Sequence, residues 1–393
     1  MEYAPPELLH DPAFHEGPLP LFDGPPPQEE LFARLRLARS RRVGPATFRR
    51  LIAEHGDARA ALAALPAIAQ AAGVAGYAPA EEGAVRKEIA AAKKAGAKLL
   101  TLGAPGYPAR LTEVSDAPPI LWAQGATALA AKRCVAVVGT RNASSLALRM
   151  TRLLCRELSE AGVVVVSGLA RGVDTVAHTA ALEGGTVAVH AGGLDRVYPE
   201  ENAKLGAEIA AKGLSLSERP FGYAPQGRDF PRRNRIVSGL SLAVIVVEAA
   251  ARSGSMITAS DAADQGREVM AVPGHPLDGR ASGCNALLRD GAMLVRGARD
   301  VLDALDALTQ PDGAKPVGAG TRPPSGPSDP SEADRLRETV LGLLSPVPVG
   351  EDQLLRDLSP EKALLPPYLT ALLSELELAG AIARRPGGGL VRL

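Results

Sequence analysis

The chain has 393 residues, enough for two or three domains, and 46 % of them are hydrophobic. Its 44 basic residues balance 44 acidic ones, so bulk charge does not mark a nucleic-acid-binding protein and any such site must be local. The odd count of three cysteines argues against a disulfide framework and fits a reducing cytoplasm. No run of about 18 apolar residues occurs, which predicts no membrane span.

The N-terminal part divides into a tail and a small helical domain. Residues 1–28 hold eight prolines and predict a disordered tail. Residues 29–97 predict a helical domain, with two helices joined at Val43-Gly44-Pro45 and a further helix over 81–95. This pair of helices either grips a DNA backbone or serves as an interaction module with a solvated basic face. The basic residues concerned are Arg41, Arg42, Arg49 and Arg50.

The central part, residues 98–308, carries short runs of Val, Ile and Ala that predict strands buried on both faces. These predicted strands lie within 134–140, 163–169, 186–194, 242–249 and 268–274. Predicted helices separate most of them, at 145–161, 172–183, 200–212 and 254–266. Such alternation predicts an α/β fold with a parallel, doubly wound, Rossmann-like sheet. Residues 98–125 are interpreted as a connector that packs onto this domain.

The C-terminal part begins with a linker. Residues 309–331 are rich in Pro, Gly and Ser, which predicts a flexible segment. Residues 332–393 predict three helices followed by two short strands, the order of a winged helix. The third helix, LTALLSELELAG, has no Lys or Arg, which favours a structural or protein-binding role over reading of DNA. Both roles stay open.

The turn after the first strand of the parallel sheet has the residues of an anion site. Ligands of open parallel sheets bind beyond the carboxyl ends of the strands. Here Gly139 lets the backbone approach an anion, Arg141 can make a two-pronged contact with phosphate, and Ser144 can cap a helix or bind a ligand. The pattern is not GxGxxG and no acidic residue ends the second strand, so a dinucleotide is disfavoured.

The turn after the second strand repeats this chemistry. It contains Ser167, Gly168 and Arg171, with Asp174 and His178 one helical turn apart in the segment that follows. An Asp–His pair can perform acid–base catalysis. The alternative is that Asp174 caps the helix while His178 packs beneath the loop.

The segment Arg228-Asp229-Phe230-Pro231-Arg232-Arg233-Asn234-Arg235 is the most informative stretch of the chain. We interpret it as a turn in which arginines hold phosphates and Phe230 stacks on a base. Free bases are available in single strands, so this pairing favours single-stranded nucleic acid. A solvated charged turn is the alternative.

A fourth anion site is predicted after the later strands. Glu248 ends one strand and is either a general base or a hydrogen-bond acceptor for a neighbouring turn. Ser253, Gly254 and Ser255 open a helix and form a ready anion site. Together the turns offer glycines, hydroxyls and arginines without a strong nucleophile–base pair or a cluster of metal ligands. The sequence therefore predicts a phosphate-binding groove with no metal site.

Several blocks in fixed order closely resemble the DNA-processing protein A family (DprA, also called Smf). The blocks are GTRNASSLALRM, VVVVSGLARGVDTVAHTAAL, FPRRNRIVSGLSLAVIVVEAAARSGSMITASDAADQGREVMAVPG and GCNALLRDGA. The resemblance implies an extended Rossmann domain, an N-terminal helical domain like a sterile alpha motif, and a C-terminal winged helix. It also implies a non-catalytic homodimer without a required cofactor that binds and protects single-stranded DNA during natural transformation. In the presence of single-strand-binding protein, such a homodimer would load the RecA recombinase.

The same resemblance implies a set of binding residues. The DNA-contacting positions would be Gly139, Arg141, Ser144, Ser167, Gly168, Arg171, Phe230, Arg233, Asn234 and Arg235, with Arg232 at a variable place of its motif. The chemistry of the strand ends, independently of the resemblance, predicts supporting positions at Asp174, His178, Glu248, Ser253, Gly254 and Ser255. A nucleotide-processing enzyme that uses Asp174, His178 or Glu248 is the alternative function. A protein scaffold with secondary DNA binding is a third.

Overall fold

The computed structural model describes residues 22, 24–309, 330–344, 354, 358, 372, 373, 376, 381–384 and 390–392. The chain forms two compact units, Met1–Gln310 and Pro311–Leu393. The predicted tail over 1–28 and the predicted linker over 309–331 lie outside the described residues except at their ends. Within the described part of the chain, no helix is long and apolar enough to cross a membrane.

The first unit begins with four helices instead of the predicted three. They are α1 (Gln28–Arg39), α2 (Pro45–His55), α3 (Ala58–Ala71) and α4 (Glu82–Lys94). The break before α3 was missed because apolar residues keep a helical spacing on both sides of Gly56-Asp57. Gly56 ends α2 with a φ of +83°, and the Asp57 carboxylate caps α3 by accepting a 2.8 Å hydrogen bond from the Ala60 amide.

The four helices are followed by a nine-stranded sheet that the first unit is built around. Its strands are β1 (Lys98–Thr101), β2 (Ile120–Gly125), β3 (Cys134–Val138), β4 (Val164–Ser167), β5 (Thr186–Val189), β6 (Leu214–Ser217), β7 (Ala243–Val246), β8 (Glu268–Ala271) and β9 (Met293–Leu294). Their spatial order is β1-β2-β6-β5-β4-β3-β7-β8-β9. From β6 to β9 every neighbouring pair is parallel, which confirms the predicted Rossmann-like sheet.

The interpretation of residues 98–125 as a connector is wrong. Two of its apolar runs are β1 and β2, which pair with each other and extend the sheet by antiparallel pairing of β2 with β6. The strands β6 and β9 were also missed. The first of these reads LSLS and the second has two residues, so neither shows a continuous apolar run.

Helices cover both faces of the sheet. They are α5 (Ala109–Thr112), α6 (Ser145–Glu160), α7 (Val173–Ala181), α8 (Ala203–Lys212), α9 (Asp229–Gly239), α10 (Gly254–Asp264), α11 (Ser282–Arg289) and α12 (Ala298–Thr309). Alternate residues of β3 enter different cores, with Cys134 and Ala136 on one face and Val135 and Val137 on the other. This two-sided burial explains the uninterrupted apolar runs of β3 and of its neighbour β7.

The predicted turn over 228–235 is wrong, since α9 begins at Asp229. Phe230 and Pro231 fall in its first turn, where proline is tolerated because the amide has no intrahelical acceptor. The helical geometry fixes where Phe230, Arg233 and Asn234 can point, which a flexible turn would not do. The arginine-rich segment is therefore presented on a rigid element.

The strand order places a crevice beside β3. The chain runs from β3 to β4 on one side and later returns to β7 on the other side of β3. At such a switch point the two following connections diverge and leave an open space beyond the carboxyl ends of the strands. The turn at Gly139 and the segment after Glu248 border this space.

The described part of the second unit contains α13 (Pro330–Leu343) and the antiparallel pair β10 (Ile382–Arg384) and β11 (Leu390–Arg392). Leu372, Leu373 and Leu376, from the predicted third helix, are buried in its core together with Val340 and Leu390. A helix and a terminal strand pair around one core agree with the predicted winged helix. Most of the predicted middle helices lies outside the described residues.

Candidate nucleic-acid interface

A cavity of about 760 Å³ lies at the switch point of the sheet. It is bordered by the turns after β3 and β4 and by the first turns of α9 and α10. Ten of the residues singled out in the sequence line it: Gly139, Arg141, Gly168, Asp174, Phe230, Arg233, Asn234, Ser253, Gly254 and Ser255. The predicted turns therefore meet in one cavity.

The turn after β3 is held close to the neighbouring elements. The Thr140 amide donates to the Glu248 carbonyl at 2.7 Å, which ties this turn to the end of β7. A Cβ on Gly139 would approach Val173 Cγ2 to 2.6 Å, so only glycine fits this close packing. The turn thereby carries the exposed Arg141 to the rim of the cavity.

Two aromatic rings and Arg141 form a stack at the cavity rim. The Arg141 guanidinium carbon lies 5.2 Å from the centre of the Phe230 ring. The Tyr198 ring packs on Phe230, with the two ring centres 5.3 Å apart and the ring planes tilted by 55°. Sequence reasoning missed Tyr198, although it is the first aromatic residue after the carboxyl end of β5. Its side chain is 51 % exposed, so the stack combines π surface and cationic charge in contact with solvent.

Arg233 is the central buried cation of the site. It is only 5 % exposed, and its guanidinium donates hydrogen bonds to the carbonyls of Gly168 and Val189. Burial lowers the pKa of Arg233 to about 10, with nearby Arg141 acting in the same direction and Asp174 opposing it. The side chain stays charged at neutral pH, and it connects the ends of β4 and β5 while lining the cavity.

Asp174 stabilises the turn after β4, whose Gly168 carbonyl accepts a hydrogen bond from Arg233. Its carboxylate accepts hydrogen bonds from the amides of Gly168 at 3.1 Å and Ala170 at 3.3 Å. Burial raises the pKa of Asp174 above its usual value, and Arg233 together with these hydrogen bonds works against that rise. The carboxylate is thus committed to backbone amides and a buried cation.

We expect Gly168→Ala to disturb this arrangement, because a Cβ at Gly168 would overlap with the Arg233 guanidinium. Overpacking of this kind lowers the free energy of unfolding by about 1–3 kcal/mol, and the displaced arginine should weaken ligand binding. Chemical denaturation measures the first effect. Gly227→Ala is the matched control, because Gly227 lines the same cavity and a Cβ there meets nothing within 4 Å. Equal stability of the two variants would contradict the expectation.

His178 and Glu248, two of the candidate catalytic groups, lie outside the cavity lining. His178 is fully buried with Nδ1 2.7 Å from the Thr186 hydroxyl, and burial lowers its pKa to about 3. Glu248 accepts hydrogen bonds from the Ser144 amide at 3.0 Å and the Ser144 hydroxyl at 2.5 Å. Both side chains are thus engaged in holding neighbouring elements together.

The first turn of α10 forms the opposite wall. The hydroxyls of Ser253 and Ser255 lie 2.6 Å apart, and Asn234 Nδ2 donates to the Gly254 carbonyl at 3.3 Å. The Asn234 bond joins α9 to α10 across the cavity. Among the residues that the structure describes, no group of three potential metal ligands occurs. The arrangement therefore offers hydroxyl and amide donors, arginines and aromatic faces, which are the groups that hold phosphates and bases.

Five of the predicted binding residues do not line this cavity. Ser167 is buried and donates to the Val137 carbonyl, while the Ser144 hydroxyl contacts Glu248. Arg235 forms ion pairs with Asp116 at 3.1 Å and Glu218 at 2.6 Å.

The other two, Arg171 and Arg232, are exposed. Arg171 pairs with Glu201 at 2.7 Å and borders a small adjoining hollow that Arg141, Tyr198 and Phe230 share. Arg171 is thus next to the aromatic stack, whereas Arg232 is on the solvent side of α9.

Asp229 is a structural residue of the site that sequence reasoning did not single out. It is 1 % exposed and accepts hydrogen bonds from the Arg219 guanidinium at 2.5 Å, the Tyr223 hydroxyl at 2.9 Å and the Gln226 amide at 2.8 Å. These bonds fasten the loop before α9 to its first turn. The position of Phe230 therefore depends on the Asp229 carboxylate. The residues next to Asp229 in the sequence did not indicate this role.

The sheet, the switch point and the cavity define a Rossmann-like protein with an open crevice at the carboxyl ends of its parallel strands. Family models agree on all three parts of the chain: a DprA-like N-terminal HHH domain matches residues 28–91, DNA recombination-mediator protein A matches 98–306, and the DprA winged helix domain matches 323–388. The chain belongs to the DNA-processing protein A (DprA/Smf) family.

Individual relatives support this assignment. DNA processing protein DprA of Bacillus subtilis is 40 % identical over 220 residues, which are 55 % of this chain and 74 % of that protein. Protein Smf of Escherichia coli is 39 % identical over 291 residues, covering 72 % of this chain and 74 % of that protein.

Solved structures of two relatives share the central fold. The X-ray structure of DprA from Streptococcus pneumoniae aligns with a TM-score of 0.53 at 40 % identity, over 57 % of this chain and 77 % of that one. A Helicobacter pylori DprA structure, described for its single-stranded DNA binding mode, aligns with a TM-score of 0.50 at 33 % identity. That alignment covers 54 % of this chain and 96 % of the other.

Proposed function

We propose that this protein binds single-stranded DNA in the cavity at the switch point of the sheet. The observation that carries this proposal is the stack of Arg141, Phe230 and Tyr198 at the rim of a cavity that also contains Arg233. The exposed Tyr198 ring and the half-buried Phe230 ring offer a platform for unpaired bases, and the two arginines offer charge to the phosphates between them. The single-stranded DNA binding described for the Helicobacter pylori relative supports this choice of ligand.

Binding of this kind depends little on base sequence. Stacking uses the face of a base, which all four bases present, and arginine contacts to phosphate carry no sequence information. The direct test is equilibrium binding of single-stranded and duplex oligonucleotides of equal length at several salt concentrations. We expect a preference for the single strand and an affinity that falls with salt. Equal affinity for both forms would argue against a stacking platform.

Phe230→Ala is expected to weaken binding of oligothymidylate roughly tenfold, because one aromatic stacking contact contributes about 1–3 kcal/mol. Fluorescence anisotropy with a labelled oligonucleotide measures the change. Phe230→Tyr is the matched control, since it retains the ring and should bind nearly as the unchanged protein does. An abasic oligonucleotide should show little difference between Phe230→Ala and the unchanged protein. A large difference on that substrate would mean that Phe230 acts by supporting the fold.

The physiological role that fits such a site is that of a recombination mediator. The protein would shield incoming single strands during natural transformation and load RecA onto strands covered by single-strand-binding protein, acting as a homodimer. RecA-dependent strand exchange on covered DNA, with and without this protein, tests that role. If this protein does not stimulate strand exchange, the mediator role is wrong, whereas the proposed DNA binding is unaffected.

We assign the protein no catalytic step. In support, Asp174 is committed to backbone amides, His178 is sealed beneath the site, and Glu248 is bound to Ser144. A nucleotide-processing enzyme would need at least one of these groups free for its substrate. Incubation with nucleoside monophosphates, followed by chromatography for released base, tests this assignment directly. Enzyme-dependent release of base would overturn it.

A further inference from the structure

The N-terminal turn of α10 opens into the cavity as a set of hydrogen-bond donors. The helix has 11 residues, and no acidic side chain lies in its first turn. Its first backbone amides have no acceptor within the helix, and the helix dipole adds partial positive charge there. A Cβ on Gly254 would meet nothing within 4 Å, so the approach to these amides is open.

A buried hydroxyl one turn further along points to a ligand independently of the helix terminus. Thr258 is 2 % exposed and lines the cavity. The Gly254 carbonyl, to which a helical threonine in this position commonly donates, accepts Asn234 Nδ2 instead. Across the residues that the structure describes, no group hydrogen bonds the Thr258 hydroxyl, and it is not among the polar atoms sealed in the interior. The hydroxyl therefore faces the cavity.

The N-terminus of α6, which follows the Gly139 turn, already has its anion. At the start of α6, Glu248 accepts hydrogen bonds from both the amide and the hydroxyl of Ser144. A carboxylate of the protein thus already occupies the N-terminus of α6. The donors of α10 are directed into the cavity instead.

The burial of the residues in the α10 site favours a phosphomonoester over a phosphodiester. Ser255 and Thr258 are 8 % and 2 % exposed and lie on the floor of the cavity, whereas Gly254, Arg141 and Tyr198 are exposed at its rim, so the α10 site runs from the rim to the floor. A phosphodiester must continue in two directions and fits the rim. A phosphomonoester ends the chain, has three free oxygens and carries close to two negative charges, so it can reach the floor and use several donors.

We propose that the first turn of α10 together with the Thr258 hydroxyl is a subsite for a nucleotide phosphomonoester, the terminal phosphate of a DNA strand. The assignment rests on the proposed single-strand binding in the same cavity. The amides of Gly254 and Ser255 and the hydroxyls of Ser253 and Thr258 hold the phosphate, while the attached nucleotide extends toward Phe230. The protein thereby distinguishes a phosphorylated strand end from an interior segment.

The test compares oligothymidylates of about 12 nucleotides that differ only in their ends. They carry a 5′-phosphate, a 3′-phosphate or hydroxyls at both ends, and free thymidine monophosphate serves as a further probe, all with the full chain. A phosphorylated end should bind about tenfold more tightly than the hydroxyl form, since hydrogen bonds to a charged group each contribute roughly 1.5–3 kcal/mol. Thr258→Val, which keeps the side-chain shape, should reduce this ratio severalfold.

Thr179→Val is the matched control, because Thr179 is an exposed helical threonine that does not line the cavity. It should preserve the ratio between phosphorylated and hydroxyl ends. A preference for the 5′- or the 3′-phosphorylated oligonucleotide shows which strand end the subsite binds. Competition by thymidine monophosphate shows that a free nucleotide can also occupy it. Equal binding of all three oligonucleotides would overturn the subsite while leaving single-strand binding in place. If no oligonucleotide binds, the proposed function fails, and thymidine monophosphate alone then decides the subsite.

Discussion

Arg141→Ala is expected to weaken binding of single-stranded oligonucleotides by roughly 10- to 100-fold, because charged hydrogen bonds to phosphate are among the strong contacts of such a site. The side chain is exposed at the cavity rim and stacks on Phe230, so its removal subtracts a phosphate contact and one face of the aromatic stack. The slope of log affinity against log salt should fall by about 0.7 for one lost phosphate contact. Anisotropy titrations at several salt concentrations measure both quantities.

Arg149→Ala is the matched control for this prediction. Arg149 is an exposed arginine on α6 outside the cavity lining, so its replacement changes the net charge by the same amount. Its affinity and salt slope should stay near those of the unchanged protein. Similar losses in both variants would mean that general charge, and not the rim position, accounts for the effect of Arg141.

Arg233→Ala is expected to lower the free energy of unfolding by about 3 kcal/mol at neutral pH and to abolish most DNA binding. The guanidinium is buried and donates hydrogen bonds to the carbonyls of Gly168 and Val189. Its positive charge stabilises the negative charge of the buried Asp174 carboxylate. Removing the guanidinium leaves two buried carbonyls without a donor and the buried Asp174 carboxylate without a nearby cation. Urea denaturation gives the stability loss, and the Arg141→Ala/Arg233→Ala double variant should bind more weakly than Arg141→Ala alone.

The loss of stability in Arg233→Ala should depend on pH. Burial already raises the pKa of Asp174, and removal of Arg233 raises it further, since the cation is the largest opposing influence. An acid whose pKa is raised by folding destabilises the folded state at pH values above that pKa, and the penalty disappears as pH falls and the acid takes up a proton. The difference in stability between the variant and the unchanged protein should therefore shrink as pH is lowered.

A second substitution provides the control for this coupling. Asp174→Asn removes the charge but keeps an oxygen that can accept the Gly168 amide. In the Arg233→Ala background it should recover part of the lost stability, and in the unchanged protein it should cost stability. Additive effects of the two substitutions would contradict a direct coupling between Arg233 and Asp174.

Much of the fold could be predicted because it follows from local pattern. The strands β3, β4, β5 and β7 are buried along their whole length and β8 along its second half, so each contains an apolar run. The strands β6 and β9 escaped prediction because one alternates Leu and Ser and the other has two residues. For β1 and β2, the apolar runs were evident, but their antiparallel addition to the sheet depends on contacts far away in sequence.

The candidate site shows the same division. Glycines, hydroxyls and arginines at strand ends predicted where phosphates could bind, and the sheet topology brought most of them into one cavity. Their individual positions were not predictable, because a side chain's partners depend on packing. Arg235 was grouped with Arg233 by sequence, yet Arg235 is held by Asp116 and Glu218 while Arg233 lines the cavity.

The sequence by itself determined the class of sheet, the family and the chemical character of the site, because apolar runs, glycine turns and arginine clusters are local properties. Only the tertiary structure decided that Arg233 is a buried cation on the Gly168 turn, that Tyr198 completes the stack on Phe230, and that Thr258 faces the cavity. These arrangements arise where elements distant in the chain pack together. The physical reason is that the environment of a side chain, meaning its burial and its hydrogen-bond and charge partners, decides what it can bind. That environment is built by residues far away in the sequence and cannot be inferred from the neighbouring ones.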